Sequence, residues 1–385
     1  MSKLITNFKE NMGKYTIGMI TVAIIIAFQA MTGGMILKPM NITNLIIQNA
    51  YVIILAVGQM LLVKAGGLTD LSVGSLCALS GGLSGLWIIK LGMPTEIALP
   101  LVFVVCILVG LWNAILVAKF QINSYIATLG SQLVVRGLTF FFLQGKSYTL
   151  FPDAFTAWCT GYIGDFFGGN GLHITSLVIG VVLSIVVVIL QVNSRRQKIK
   201  YLVEVSPIYL FIALQVVIVG LIMAISWALA VYKGVPKILV IVGVIVVVYS
   251  FIISKTVFGR KIIAVGGNRQ AAVLSGIKDS RIIFAIYINS AVIAGFAGIV
   301  YAARMNACSC NVGNGFDADA IAACYIGGGV TNGSIVGAML GALIIGLLNN
   351  GMSILGIASD IQMCVKGFVL VIAVVLDVMQ SRKSK

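Results

Sequence analysis

Eleven apolar runs of about 18 residues or more follow one another along the chain. They lie near 16–36, 45–64, 69–90, 95–118, 124–143, 171–192, 206–231, 236–254, 282–303, 319–350 and 362–379. Runs this long mark helices that span a bilayer, whereas barrel strands are shorter and alternate apolar with polar. The predicted fold is therefore all-α, a polytopic transmembrane helical bundle. The first run is long, and Met31-Thr32-Gly33-Gly34-Met35 makes a poor cleavage site, so it reads as a retained helix and not a secretory signal. The run 319–350 carries Gly327-Gly328-Gly329 and Asn332-Gly333, which predict a broken or re-entrant helix. Such breaks survive in a membrane only where the freed backbone is buried in protein or lines a cavity.

Composition agrees: 60% of the 385 residues are hydrophobic and 10% are charged. A soluble domain carries about 25% charged residues, so lipid must cover this surface. The net charge of +15 would suggest nucleic acid in a soluble protein; here its placement reads as topology, because Lys and Arg gather in cytoplasmic loops. The basic clusters are Lys3, Lys9 and Lys14; Arg195, Arg196, Lys198 and Lys200; Lys255 through Arg281; and Arg382, Lys383 and Lys385. The segments 144–170 and 304–319 are slightly acidic, with Asp153, Asp165, Asp317 and Asp319 against Lys146 and Arg304. Both termini then face the cytoplasm, the number of crossings is even, and ten to twelve are expected. Residues 1–385 form one integral membrane domain, with an external loop at 144–170 and a cytoplasmic loop at 255–281.

Neither loop is long enough for a nucleotide-binding fold, and no G-x-x-x-x-G-K-[ST] phosphate loop occurs. An ion gradient or another chain must therefore supply any energy. His173 is the single histidine, and most of the seven cysteines sit in apolar runs, where a thiol acts as a small hydrophobe. Cys308 and Cys310 alone do not make a metal site, so none is expected. The 43 glycines mostly let helices approach closely.

Four polar segments interrupt the apolar background. In Gly66-Gly67-Leu68-Thr69-Asp70-Leu71-Ser72-Val73-Gly74-Ser75, Asp70 and Ser72 either cap a turn at the membrane edge or mark a broken helix beside a transport route. In Gln121-Ile122-Asn123-Ser124-Tyr125-Ile126-Ala127-Thr128-Leu129-Gly130, Asn123 or Ser124 caps the following helix, and Arg136 lies further along it. Arg136 either faces the bundle interior or snorkels to the interface. In 258–277, Asn268 predicts the N-cap of a short helix and Gly276 its end. An ordered helix between two spans implies that something docks on it; otherwise this is a basic topogenic loop. The segment 315–351 places Asp317 and Asp319 at the mouth of the glycine-interrupted helix, with Asn349 and Asn350 deeper, where amides bond either a sugar hydroxyl or a neighbouring helix.

These segments, in this order, resemble the ribose/xylose-type permease family of ABC importers. The matching motifs are G-G-x-x-D-L-S-V-G at 66–74, I-A-T-L-G at 126–130, G-R-x-I-x-A-x-G-G-N-x-x-A-A-x-x-S-G-I at 259–277 and D-A-x-A-A at 319–323, and the resemblance runs from about residue 41 to 379. The chain is longer than the ribose branch between 171 and 254. Its Asn349-Asn350-Gly351-Met352-Ser353, Lys366-Gly367 and Asp377-Val378 look more like the xylose or multiple-monosaccharide branch. It departs from the family at Gly327-Gly328-Gly329-Val330, where G-G-T-S is frequent, and at Asp317-Ala318-Asp319-Ala320, where E-L-D-A occurs.

The resemblance implies a permease subunit that moves a monosaccharide, xylose- or galactose/glucose-like, into the cell by alternating access across a bacterial plasma (inner) membrane. It implies no enzyme activity and no cofactor on this chain; Mg-ATP belongs to two partner ABC ATPase subunits. The other implied partners are an extracytoplasmic sugar-binding protein, a second permease copy and membrane lipid, with no nucleic acid. By resemblance, Gly259, Arg260, Gly266, Gly267, Asn268, Ala271, Ala272 and Gly276 couple to the ATPase. Asp70, Ser72, Asn123, Thr128, Arg136, Asp319, Asn349 and Asn350 are the candidate residues of the path or gate. The main rival is an ion-coupled secondary transporter, which needs a carboxylate near the midplane. An embedded enzyme and a channel fit less well, for want of clustered catalytic groups and of a filter sequence.

Overall fold

The prolines punctuate the fold. Five of the six stand at the first position of a helix or directly before it, where a missing N–H leaves no hydrogen bond unmade. In a computed structural model, residues 18, 20–168, 171–202, 205 and 207–383 are described. The helices are α1 (Ile20–Met31), α2 (Pro39–Lys64), α3 (Val73–Gly85), α4 (Thr95–Ala114), α5 (Ser124–Leu143), α6 (Asp153–Thr160), α7 (Ile174–Lys200), α8 (Ile208–Tyr232) and α9 (Lys237–Lys255). There follow α10 (Val257–Gly267), α11 (Arg269–Leu274), α12 (Asp279–Met305), α13 (Phe316–Ile326), α14 (Gly329–Asn332), α15 (Ile335–Ile354) and α16 (Ser359–Lys383). α3 and α4 each end in one wider π turn, Leu86–Lys90 and Ile115–Lys119. Among the described residues, ten helices are long and apolar enough to cross a membrane. Lys3, Lys9 and Lys14, on which the cytoplasmic N-terminus was placed, and Lys385 lie outside the described residues.

The expected break in 319–350 is present. α13 stops at Ile326, Gly328 and Gly329 take positive φ of 108° and 57°, and α15 starts at Ile335 with the Ser334 hydroxyl accepting from the Gly337 amide. The 69–90 run also differs from one straight span: residues 65–72 are non-helical, and α3 begins only at Val73.

With the basic α9–α12 connection on the cytoplasmic side, as its charge predicts, the orientation follows, because Gly266 in it lies against Lys64 and Gly66 at the end of α2. α2 therefore runs inward, and α12 outward to the external rim. There a two-stranded ribbon, β1 (Tyr148–Thr149) and β2 (Ala307–Cys308), pairs antiparallel with Tyr148 opposite Cys308. Long helix, non-helical stretch, broken helix and two further spans occur twice, as α2–α5 and as α12–α16, in opposite directions.

α2, α3, α12, α13 and α15 make the core, and α7 and α8 form a peripheral hairpin that reaches it only through α8 packing on α2. In α2, 78% of the apolar window is buried inside the protein; in α8 the share is 6%, which leaves the hairpin to lipid.

Outside the membrane, Asp165 anchors the start of α7. Its carboxylate accepts from the Thr175 hydroxyl at 2.7 Å, from the Thr175 and Ile174 amides at 3.1 and 3.2 Å, and from the Phe167 amide at 3.3 Å. These bonds, the Thr175 hydroxyl first, pull its pKa down to about 2, from near 3.9 in an unfolded chain. The folded state thus binds this proton less tightly than the unfolded state. The anchoring is complete above pH ~4 and is lost as pH falls toward 2. Amide protection at Ile174 and Thr175 should fall across that window and be low throughout in Asp165→Ala; unchanged protection down to pH 2 would dismiss the anchor.

Candidate functional site

Two stretches of non-helical backbone enter the bilayer, and the second reaches the first turn of the helix that follows the first. The first leaves α2 through Gly66 and Gly67, at φ 109° and 77°, a conformation open to glycine and costly for other residues. It leads to Asp70, which is wholly buried. Asp70 Oδ1 accepts from the Ser72 amide at 3.0 Å and the Ser72 hydroxyl at 2.6 Å, and Oδ2 accepts from the Ser290 hydroxyl at 3.1 Å. The Ser72 hydroxyl also accepts from Asn113 of α4 at 2.9 Å. The Thr128 hydroxyl of α5 accepts from the Leu71 amide at 3.1 Å, and Tyr287 of α12 donates to the Thr69 carbonyl at 3.1 Å. Asp70 thus closes the turn before α3 by accepting from the Ser72 amide, whereas the N-cap residue of α3 is Ser72 and no side chain caps the helix. The Ser72 hydroxyl does not bond a helix amide; it donates to Asp70 in its own segment and accepts from Asn113 of α4.

Ser290 lies eleven residues into α12, about 16 Å from its cytoplasmic end at 1.5 Å per residue. The Asp70 node is therefore at mid-bilayer, not at the membrane edge. Leucine in place of Asp70 would leave two hydroxyls and an amide without their acceptor, each at about 1–3 kcal/mol. Asp70→Leu should lower the unfolding midpoint in detergent far more than Asp70→Asn, which keeps the shape and an acceptor oxygen. Equal midpoints would remove the node.

The second stretch descends from the external rim. A Cβ placed on Gly85 would meet Cys308, and one placed on Gly74 would lie 2.3 Å from the Gly313 carbonyl. Residues 308–313 therefore run down eleven residues of α3, about 16 Å, and α13 begins deep in the membrane. Arg136 holds this stretch. Its Nη1 donates to the carbonyls of Cys310 at 2.7 Å and Val312 at 2.6 Å. Arg136 therefore faces the protein and does not snorkel to the interface. Its Nη2 and Asp317 Oδ1 are buried without a hydrogen-bond partner, and Asp317 Oδ1 lies 3.5 Å from the Cβ position of Gly74.

Asp319, one turn into α13 and 3% exposed, pairs with Lys366 of α16 at 3.1 Å. Asn349 of α15 approaches Asp319 and is half-buried. Asn350 exchanges amide bonds with Asn41 of α2 at 2.9 and 3.1 Å, the helix-bonding use of an amide. Asn123 is exposed and caps α5, accepting from the Tyr125 amide at 3.0 Å. The structure thus brings Asp70, Ser72 and Thr128 into one network and sets Arg136 and Asp319 along the second stretch. Asn123 and Asn350 sit at opposite ends of the bundle. Asn113 and Ser290 escaped the sequence reading, and Lys366 entered it only as a mark of the xylose branch, not as a site residue. Lys366, a cation within a span, carries the same signal that drew notice to Arg136.

In the α9–α12 connection the short helix expected between Asn268 and Gly276 is present as α11, and a second helix, α10, precedes it. Thr256 caps α10 by accepting from the Gly259 amide at 3.1 Å, and Asn268 caps α11 by accepting from the Ala271 amide at 2.9 Å. Gly276, at φ 82°, follows the end of α11 as expected. Gly259 and Ala272 are buried, and Gly266 packs on the end of α2; Arg260, Gly267, Asn268, Ala271 and Gly276 are exposed. Among the described residues no cluster of three or more His, Cys, Asp or Glu could hold a metal ion.

A family model described as a branched-chain amino acid transport system permease component matches residues 41–195 and 154–374. The xylose transport system permease protein XylH of Haemophilus influenzae is 32% identical over 95% of this chain and 96% of its own. The chain belongs to the ribose/xylose-type ABC permease family. XylH of Escherichia coli K12 is also 32% identical, over 94% of this chain and 91% of its own. The ribose import permease protein RbsC of Bacillus subtilis is 31% identical, over 89% and 85%. No solved structure matches the chain significantly. Like other permeases of this family, the chain is a multi-pass inner-membrane transport subunit and not an enzyme; ATP hydrolysis lies in a separate subunit. Family membership implies ATPase and substrate-binding-protein partners.

Proposed function

We propose that this permease carries a monosaccharide, xylose-like or galactose/glucose-like, inward by alternating access between two packings of its helices. The observation that carries the reading is the contact of the non-helical stretch 308–313, at Gly313, with the first turn of α3, at Gly74, directly after the non-helical stretch 65–72, with Arg136 holding the former. Irregular backbone within the bilayer belongs where a polar solute passes or a gate moves. The xylose and ribose permeases among the relatives support a sugar as the solute.

The ATPase docks on α10 and α11, a reading supported by apolar side chains left in water there: Val257, Ile263, Val273 and Leu274, the last 88% exposed. A second copy packs across α5. Its Ile126, Leu133 and Phe141 are exposed, and Gly130 and Gly137 have open space around them, so another helix could approach closely. The sugar-binding protein meets the external rim around the β1–β2 ribbon, and no cofactor sits on this chain. An ion-coupled transporter fits less well: Asp70 is held by three donors and Asp319 by Lys366.

The test is uptake by vesicles holding this chain with its ATPase and its binding protein. Sugar uptake that needs ATP and both partners supports the reading, and the sugar that competes best names the substrate. Uptake by the chain alone, driven by an ion gradient, would overturn it.

A further inference from the structure

The α7–α8 hairpin ends in a feature that transport does not use. α7 has 27 residues, about 40 Å of helix against a hydrocarbon core of about 30 Å. Its last turns therefore leave the membrane on the cytoplasmic side. They carry Arg195, Arg196, Lys198 and Lys200, and no Asp or Glu occurs in the sequence between Asp165 and Glu204, which is itself outside the described residues. The ion pairs Arg269–Asp279 and Lys366–Asp319 lie elsewhere.

We propose that this end of the hairpin is a docking surface for anionic phospholipid headgroups of the inner leaflet. Three observations carry it beyond the general excess of positive charge in cytoplasmic loops. The cations continue a helix whose preceding turns are bare to lipid, with Val186, Ile189 and Leu190 exposed, so they leave the bilayer at headgroup level. Apolar side chains stand among and just beyond them: Ile199, Tyr201 and Leu202, the last 94% exposed. Cations interleaved with exposed apolar groups suit an interface, where one set meets phosphate and the other the acyl boundary. The platform is also fixed in place. Arg195 stacks over the Phe211 ring of α8 at 4.8 Å, and Gln215 donates to Gln191 at 2.6 Å. The hairpin's peripheral position leaves this surface turned to lipid and not to the core.

Each Lys or Arg beside an anionic surface strengthens binding roughly fivefold. The full-length permease is reconstituted in mixed phosphatidylcholine and phosphatidylglycerol, re-extracted at low salt, and its retained lipid is quantified. Wild type should retain phosphatidylglycerol over phosphatidylcholine by several-fold. R195Q/R196Q/K198Q/K200Q should lose the preference, and the charge-preserving R195K/R196K/K198R/K200R should keep it. Millimolar inorganic phosphate should not displace the lipid. Equal retention of both lipids by wild type needs no variant to fold and overturns the proposal; so does a preference that survives the glutamine substitutions. Displacement by phosphate overturns it too, in favour of a free-anion site.

Discussion

Replacing Arg136 by leucine is expected to abolish ATP-dependent uptake and to destabilise the permease by several kcal/mol. The guanidinium makes two charge-assisted bonds, to the Cys310 and Val312 carbonyls, inside the protein. Bonds to a charged group contribute about 1.5–3 kcal/mol each, and no water is at hand to replace them in a bilayer. Without Arg136 the two carbonyls lose their donor where a helix or strand cannot satisfy them. The descent of 308–313 along α3 then loses its charged anchor and keeps only the ribbon at Cys308 and the weak thiol bond from Cys310 to the Thr139 carbonyl, so the N-terminus of α13 loses its place beside Gly74.

Lysine would restore the charge, but it offers a point charge in place of a planar fork. Arg136→Lys should therefore keep part of the stability and a reduced rate of uptake. The measurements are thermal unfolding in detergent and ATP-driven uptake at matched protein level. Wild-type behaviour of Arg136→Leu in both would show that the re-entrant stretch stands without it.

That arrangement marks the limit of what the sequence can disclose. Arg136 stood out in the apolar run 124–143 because a charge there is rare. Its partners are backbone carbonyls, which every residue type possesses, so nothing at Cys310 or Val312 could announce them. Asp319 and Lys366 are 47 residues apart and Asp70 and Ser290 are 220 apart, and a single sequence holds no record of such pairings. Local chemistry was far more legible. The Asn123 and Asn268 caps, the glycine end at Gly276 and the break after Ile326 each depend on residues within a turn of one another. The 69–90 run misled because Leu71 joins the non-helical residues 69–72 to the apolar helix that starts at Val73. Hydropathy records what surrounds a residue, and re-entrant backbone buried in protein has the same surroundings as a helix.

Two adjacent glycines in the cytoplasmic connection should behave in opposite ways, and this is the sharpest test of where the ATPase docks. A Cβ on Gly266 would lie 1.9 Å from the Lys64 carbonyl and 2.9 Å from the Gly66 amide, both rigid backbone, whereas a Cβ on Gly267 meets nothing within 4 Å. Gly266→Val forces α10 off the end of α2. Overpacking of this kind costs about 1–3 kcal/mol, so that variant should lose stability, with ATPase binding falling as a consequence. Gly267→Trp clashes with nothing in the permease, and its midpoint should match wild type. The indole projects instead into the exposed surface that α10 and α11 share with Asn268 and Ala271. A clash of about 1.4 kcal/mol there weakens ATPase association tenfold, and an indole offers more than that, so ATPase should be nearly absent from the purified permease. Wild-type recovery of ATPase with Gly267→Trp would move the docking face away from the α10–α11 turn. Loss of ATPase from a permease of unchanged stability ties the power stroke to a surface whose other side, through Gly266, rests on the end of α2. From there the chain enters the bilayer toward Asp70, so movement of α10 would reach the broken helices through one continuous stretch of backbone.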